Sequence, residues 1–436
     1  MGGAFGGNAG KFAKFTFLKG MLWASRLHIS NRQNKKNMQK TLSTFHKSVY
    51  LLVLGLAITL SLCAYACGEK QNVAEPQKDG KEQVEEVEDT STLMGQWRQE
   101  MKDKLREEWN DNVLTVGENS MKIWYKYYGD APRGDRSLWI SMHGGGSAPA
   151  RVNDQQWDNQ KRLYQPSEGL YVAPRAPWND WDLWFKPGMD ELLHKLIVCA
   201  VLFEGVNPDK VYLMGYSAGG DGVWRMAPRM ADSWAAASMM AGHPGDVSLV
   251  NLRNTPFMIW CGALDSAYNR NKECEQRGKV MDRLQAEDPG GYIHETHIQE
   301  GREHWMYLDD AAALPWMAKY TRNPRPDRVV WMQGDVNHKD FYWLGLPDLT
   351  GVKKGMAVTV RKDGNNFDIE SCDYPSIRIY LDENMVDFKK RVTVKYNGKT
   401  VFKEKVSPSD EVRKNTLYDR EDPSYVFSAV IDVKVK

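Results

Sequence analysis

The sequence lacks a charge imbalance. Its 436 residues carry 58 Lys and Arg against 57 Asp and Glu, a formal net charge of +1. Binding a phosphate backbone needs a basic surplus, so nothing in the composition supports a nucleic-acid partner. Cysteine is also scarce. Of the six, Cys199, Cys261, Cys274 and Cys372 lie beyond the N-terminal leader, and their spacing fits no metal site. A chain this long needs no disulfide framework, so Cys261 and Cys274 either pair or sit as buried thiols. Only one long apolar run occurs, at residues 50–66. What is abundant is aromatic: 16 Trp and 19 Tyr, many in the middle of the chain, suiting either core packing or platforms offered to a ligand.

The apolar run follows Lys40 and Lys47 and closes on Ala64-Tyr65-Ala66, a small-residue exit. It is at the short limit for crossing a bilayer and reads as a signal-peptide core. Cys67 and Gly68 come next, and the junction resembles a bacterial lipobox, which implies acylation of Cys67 and a membrane lipid anchor. Ala64 stands where leucine is usual, and Cys63 after Leu62 is the second candidate. The first 37 residues are unlike a signal peptide, whereas Met38 begins a leader of ordinary proportions and is a candidate true start. Residues 1–67 are therefore read as leader. Residues 68–92 are acidic and without apolar period, a disordered tether.

From residue 93 the pattern is α/β. Helices are expected at 94–109, 189–203, 221–230, 270–286 and 309–320, and strands at 121–128, 138–142, 170–173, 211–214, 235–240, 256–261 and 292–298. Short apolar strands alternating with helices imply a mostly parallel sheet covered on both faces. Beyond Arg322-Asn323-Pro324-Arg325-Pro326 the period becomes two. Strands at 329–332, 356–361, 366–370, 376–381, 392–396 and 430–436, with turns at Asp363-Gly364-Asn365 and Asn397-Gly398, predict a small β-sandwich-like accessory domain over 326–436, after a catalytic domain over 93–325.

Within the α/β part, Gly215-Tyr216-Ser217-Ala218-Gly219-Gly220 follows a β-branched run and precedes a helix. That is the context of a G-x-S-x-G nucleophile elbow, where small residues let strand and helix approach and the serine stands at a helix N-terminus. Serine acyl transfer also needs a base, an acid to orient it, and amides for the oxyanion. Asp265, in Gly262-Ala263-Leu264-Asp265, ends the strand where an acid belongs, and His304 follows the next strand, where a base belongs. Asp309 and Asp310 read as caps of the last helix, and His294 and His297 as structural. Ala218 N–H is one oxyanion donor. The glycine loop His143-Gly144-Gly145-Gly146 offers the second from Gly144 or Gly145. The loop from 174 to 187 holds Trp178, Trp181, Trp184 and Phe185 at a ligand-binding sheet edge. His143, Trp181, Trp184, Asp221 and His243 are the candidate substrate contacts.

The four segments at 143–146, 215–220, 262–265 and 301–305 resemble the α/β-hydrolase superfamily. The likeness is to its secreted esterase branch, near polyhydroxybutyrate-depolymerase-like and feruloyl or acetyl-xylan esterases, over about residues 115–322. The resemblance implies Ser217 as nucleophile, His304 as base and Asp265 as its orienter, with no metal or organic cofactor. No long lid insertion is visible, which weakens a lipase reading, and Arg302-Glu303 replaces the usual small residues before the histidine. The sequence reads as a lipid-anchored cell-envelope serine esterase acting on a carbohydrate-linked or small ester. The alternatives are a prolyl-oligopeptidase-type peptidase, against which the missing propeller counts, and a non-catalytic glycan-binding lipoprotein.

Overall fold

The computed structural model describes residues 91–435. The leader with Met38, Cys63 and Cys67, and the tether apart from Ser91 and Thr92, lie outside the described residues. Helix α1 (Leu93–Asn110) begins at Thr92, whose hydroxyl accepts from Gly95 N–H at 3.0 Å. Trp97, Met101, Leu105 and Trp109 recur four apart along its buried face.

An eight-stranded sheet follows: β1 (Val113–Val116), β2 (Asn119–Tyr128), β3 (Arg136–Met142), β4 (Gly169–Arg175), β5 (Val206–Tyr216), β6 (Ala236–Met240), β7 (Phe257–Gly262) and β8 (His294–Gln299). Their order across the sheet is β1-β2-β4-β3-β5-β6-β7-β8. The first two strands run antiparallel to their neighbours, and the pairings from β4 through β8 are parallel. Strands β6 and β7 are buried at every residue, as parallel strands covered on both faces must be. Alternate side chains serve two cores: Leu138, Ile140, Leu213 and Ile259 on one face, Trp139, Tyr212, Met214 and Trp260 on the other. The helices are α2 (Ala150–Leu163), α3 (Met189–Glu204), α4 (Ala218–Arg229), α5 (Arg270–Glu287) and α6 (Ala313–Met317). This is an α/β-hydrolase fold. The chain steps from β3 outward to β4, then crosses back past β3 to β5. That switch opens a crevice at the carboxyl ends of β3 and β5, where such sheets bind ligands.

Residues after 327 form two smaller sheets. One holds β9 (Arg328–Met332), β12 (Ala357–Asp363), β13 (Asn366–Cys372), β15 (Val392–Tyr396) and β16 (Lys399–Glu404); the other β10 (Asp340–Phe341), β11 (Leu344–Gly345), β14 (Ser376–Leu381) and β17 (Ala429–Lys434). The described residues fall in one compact unit, and the core on the Leu138 face of the large sheet continues into the smaller sheets, from Trp97 to Val435. Near the expected boundary, the buried Arg322 guanidinium holds Asp209 of β5 at 2.7 Å and Asp422 of the C-terminal segment at 2.8 Å.

Several elements differ from the sequence reading. Helix α2, strand β1, strand β16 and a helix α7 (Asp410–Arg420) were not anticipated. Helix α2 has only Val152, Trp157 and Leu163 as large apolar residues, so its period is faint. Strand β8 starts at His294 because Tyr292 has a left-handed backbone, φ 56°. The last helix spans Ala313–Met317 and not 309–320, because Pro315 is tolerated only in a first turn. A 3-10 turn occupies Asp309–Ala312 instead. Asp309 and Asp310 are accordingly not its side-chain caps. Asp309 accepts from Arg302 Nε at 2.6 Å, while the buried Asp310 accepts from the Tyr164 hydroxyl. Cys261 and Cys274 are free buried thiols, not a disulfide.

Burial pushes the Asp310 carboxyl up to about 6. A carboxyl that holds its proton more tightly folded than unfolded stabilises the fold below about pH 4, and that contribution is lost as pH rises through about 6. The shift corresponds to about 3 kcal/mol at most. Between pH 4 and pH 7, urea unfolding is expected to show wild type losing about 2–3 kcal/mol more than Asp310→Asn. Equal losses in the two proteins would refute the assignment.

Candidate active site

Ser217 sits between β5 and α4 with φ 58° and ψ −120°, a backbone that a non-glycine residue rarely holds. Its N–H donates to Met240 O at 2.9 Å, and its carbonyl accepts from Asp221 N–H at 2.9 Å. The turn closes because its neighbours lack side chains. A Cβ on Gly215 would lie 2.4 Å from Gly219 O, and one on Gly219 would lie 2.1 Å from Met142 O. The serine does not spend its hydroxyl on capping α4.

That hydroxyl lies 2.9 Å from His304 Nε2, and His304 Nδ1 lies 2.7 Å from Asp265 Oδ2. The three side chains singled out in the sequence are thus in one hydrogen-bonded line. Asp265 is almost fully buried, with a side chain 1 % exposed, whereas the His304 side chain is 42 % exposed toward the cleft. The other carboxylate oxygen of Asp265 faces Arg270 Nη1 at 3.5 Å. Buried beside an imidazole and a guanidinium, the carboxylate fixes the ring by accepting from Nδ1–H, which leaves Nε2 as the acceptor for Ser217. Tyr216 holds the histidine from behind. Its hydroxyl donates to His304 O at 2.5 Å and accepts from Met306 N–H at 3.1 Å.

The glycine loop lies against the serine. A Cβ on Gly144 would stand 3.2 Å from Ser217 Cβ. His143 does not reach a substrate, contrary to the sequence reading. It is fully buried, with Nδ1–H donating to Gly144 O at 2.6 Å and Nε2 accepting from Ala176 N–H at 3.2 Å. Burial holds its pKa down at about 3, so the ring stays neutral and keeps this tautomer. Because the peptide is trans, pinning Gly144 C=O sends Gly145 N–H to the opposite side. Gly145 has φ 111°, and Gly146 N–H is already taken by Asn153 Oδ1 at 2.8 Å. The first N–H groups of α4, beginning with Ala218, have no partner within their helix.

Trp184 is likewise not a substrate contact. It is buried, donates Nε1–H to His143 O at 2.8 Å, and packs edge-on to that ring. Trp181 is 62 % exposed and packs edge-on to Phe185. Asp221 and His243 are half-buried and tied together, His243 N–H donating to Asp221 Oδ1 at 2.6 Å. Burial raises the Asp221 carboxyl above its ordinary range. His294 and His297 are structural: His294 bonds Tyr292 O at 2.8 Å, and His297 stacks on Trp260.

Sequence reasoning missed the residues that hold the loops. Asn153 is fully buried and bridges Gly146 N–H, Ala148 O and Asn179. Arg175 then clamps Asn179 at 2.6 Å and Ala176 O at 2.5 Å. Only the position of Asn153 in the first turn of α2, shortly after the glycines, signals such a role.

No family model and no curated protein matches the chain. Among solved structures it is similar to a thermostable esterase at 20 % identity, over 49 % of this chain and 64 % of that one, with a TM-score of 0.36. It is similar to a feruloyl esterase module from Clostridium thermocellum complexed with sinapinate at 13 % identity, over 48 % and 86 %, with a TM-score of 0.35. A carboxylesterase from Bacillus cereus is 15 % identical over 46 % and 94 %, with a TM-score of 0.33. The chain spans less than two thirds of the thermostable esterase. These likenesses are loose, and the functional reading rests on the site itself.

Proposed function

We propose that the protein is a serine hydrolase that cleaves carboxylic esters through an acyl-enzyme. The single observation carrying this is the unbroken line from Asp265 Oδ2 through His304 to Ser217 Oγ, with the serine on a strained elbow. As Ser217 Oγ attacks the ester carbonyl, His304 Nε2 takes its proton, and Asp265 stabilises the imidazolium that forms. The oxyanion is held by the amides of Ala218 and of the glycine loop, Gly145 foremost, with Gly144 lying against the nucleophile. His304 then protonates the leaving alcohol, and water releases the acyl group by the same relay.

We further propose a carbohydrate-linked or small ester as substrate and a lipid anchor at Cys67 in the cell envelope. The anchor is supported by the apolar run at 50–66 and its small-residue exit. Membrane fractionation tests it: Cys67→Ser is expected in the soluble fraction, and a variant that stays on membranes refutes lipidation there.

A fluorophosphonate probe tests the chemistry. Wild type is expected to be labelled and Ser217→Ala to be blank; an unlabelled wild type would sink the hydrolase reading. The glycine loop is tested separately. A Cβ on Gly145 would lie 2.2 Å from Asn153 Oδ1, so Gly145→Ala displaces that peptide. Loss of one oxyanion donor typically lowers kcat by about 100-fold or more, and that loss is expected here with circular dichroism unchanged. A rate within about twofold of wild type would remove this amide from the mechanism.

A further inference from the structure

Arg270 is the first residue of α5, and its guanidinium is nearly buried beside Asp265, with a side chain 11 % exposed. Its Nη1 faces Asp265 Oδ1 at 3.5 Å, close enough for an ion pair and too far for a well-made hydrogen bond. Its Nε is buried and makes no hydrogen bond. The ring of Tyr268 covers it from outside, with the ring centre 5.0 Å from Cζ. A guanidinium taken out of water with its donors so poorly matched costs free energy, so its place at this site calls for a reason other than packing.

The helix that carries Arg270 is fixed to both sides of the site. Asn271 N–H donates to Asp265 O at 3.0 Å and its side-chain amide to Ala263 O at 2.8 Å, so α5 starts locked to the turn holding Asp265. Cys274, one helical turn beyond Arg270 on the same face, donates its thiol to Gly242 O at 3.5 Å, and Arg277 donates to Gly245 O at 2.6 Å. That face of α5 therefore lies along the turn after β6. The same turn rests on the start of α4: a Cβ on Gly242 would stand 2.6 Å from Asp221 N, and His243 N–H donates to Asp221 Oδ1 at 2.6 Å. Asp221 is one helical turn beyond Ser217, whose carbonyl accepts its N–H at 2.9 Å. Burial raises the Asp221 carboxyl, while the His243 N–H and the charges of Arg270, His243 and His304 draw it back. Arg270 is thus the charged neighbour of two carboxylates, Asp265 and Asp221, one on each side of His304.

We propose that Arg270 and Asp221 are positioning residues that set, in opposite directions, the pH at which His304 takes up its proton. The proposal rests on the hydrolase reading above and concerns the tuning of that same site. His304 must be neutral to receive the Ser217 proton and must then be stable as an imidazolium. A buried Asp265 acting alone would favour the imidazolium strongly and hold the ring charged. The Arg270 cation offsets part of that field, and because it stops short of a full hydrogen bond it leaves Asp265 Oδ2 to His304 Nδ1. Asp221 restores part of the negative field from the α4 side. The remaining titratable groups near His304 are His243 after β6, the uncharged Tyr216 phenol on β5, and Glu303 with the paired Arg302 and Asp309 on its own loop.

The test follows the titration midpoint of the His304 ring by NMR, in the full chain isotope-labelled at histidine Cε1, with His304→Gln assigning the signal. A Ser217→Ala background removes turnover, so the serine probe and this titration fail separately. Removing a cation favours the imidazolium, and Arg270→Met is expected to raise the midpoint by about one pH unit. Removing an anion disfavours it, and Asp221→Asn is expected to lower the midpoint by about half a unit. The two shifts are expected to offset each other in the double variant, and Arg270→Lys, which keeps the charge, is expected to leave the midpoint in place. Asparagine retains an acceptor for His243 N–H and leaves α5 untouched, so Asp221→Asn decides the question by itself if Arg270→Met does not fold. Three results would overturn the proposal: either charge-removing substitution leaving the midpoint unmoved, shifts of the same sign in both, or Arg270→Lys moving it as far as Arg270→Met.

Discussion

Everything in the site depends on how closely α4 approaches the sheet at Ser217. Gly215 meets Gly219, and Gly219 meets the carbonyl of Met142 at the end of β3, at distances that exclude any side chain. That contact brings Ser217, the glycine loop and the helix N-terminus to one point. It also forces Ser217 into φ 58°, a conformation that costs on the order of 1–3 kcal/mol and survives only when neighbours over-determine it. The ties to Met240 and Asp221 supply that determination from one side, and the buried sheet supplies it from the other. A larger residue at either glycine would separate α4 from β3, and the line from Ser217 through His304 to Asp265 would lose its geometry.

The loops around this point are held by buried polar groups in fixed protonation states. His143 is useful because it stays neutral: one nitrogen donates to Gly144 O and the other accepts from Ala176 N–H, a division of roles that a protonated ring does not keep. Trp184 closes the ring's remaining side and donates to the His143 carbonyl. Asn153 and Arg175 extend the same network to the aromatic loop. Tyr216 does the corresponding work for His304, because the residue next to Ser217 holds the His304 backbone. The serine and the histidine are therefore mechanically linked through one tyrosine as well as through their hydrogen bond.

The sequence made the line of Ser217, Asp265 and His304 legible because Ser217 sits in a glycine-flanked elbow, Asp265 follows the wholly apolar β7, and His304 follows the next strand in order. The supporting shell was not legible. Asn153 and Gln160 point from α2 toward the sheet, Gln160 reaching Ser141 at 2.7 Å, so the helix lacks the apolar stripe that would announce it. His143 and Trp184 looked accessible because they stand in loop-rich segments, yet tertiary contacts bury both. Position along the chain predicts which strand end a residue joins, and it does not predict whether the side chain then turns into solvent or into the core. Asp310 shows the same limit: an acid before a helix reads as a cap, until Pro315 delays the helix and Tyr164 claims the carboxyl.

That limit also holds for the aromatic side chains. The run 174–187 is dense in tryptophan, but Trp184 is spent on holding His143, and of its tryptophans only Trp181 is exposed. The loops after β7 and β8 carry fewer aromatics, and they present them outward. Tyr268 and Tyr307, both exposed and with φ 55°, stand three residues beyond Asp265 and His304. In each loop the chain turns through a left-handed residue there, and the tyrosine side chain is exposed. The two loops that hold Asp265 and His304 in line thus also set which side chains stand outward beside them.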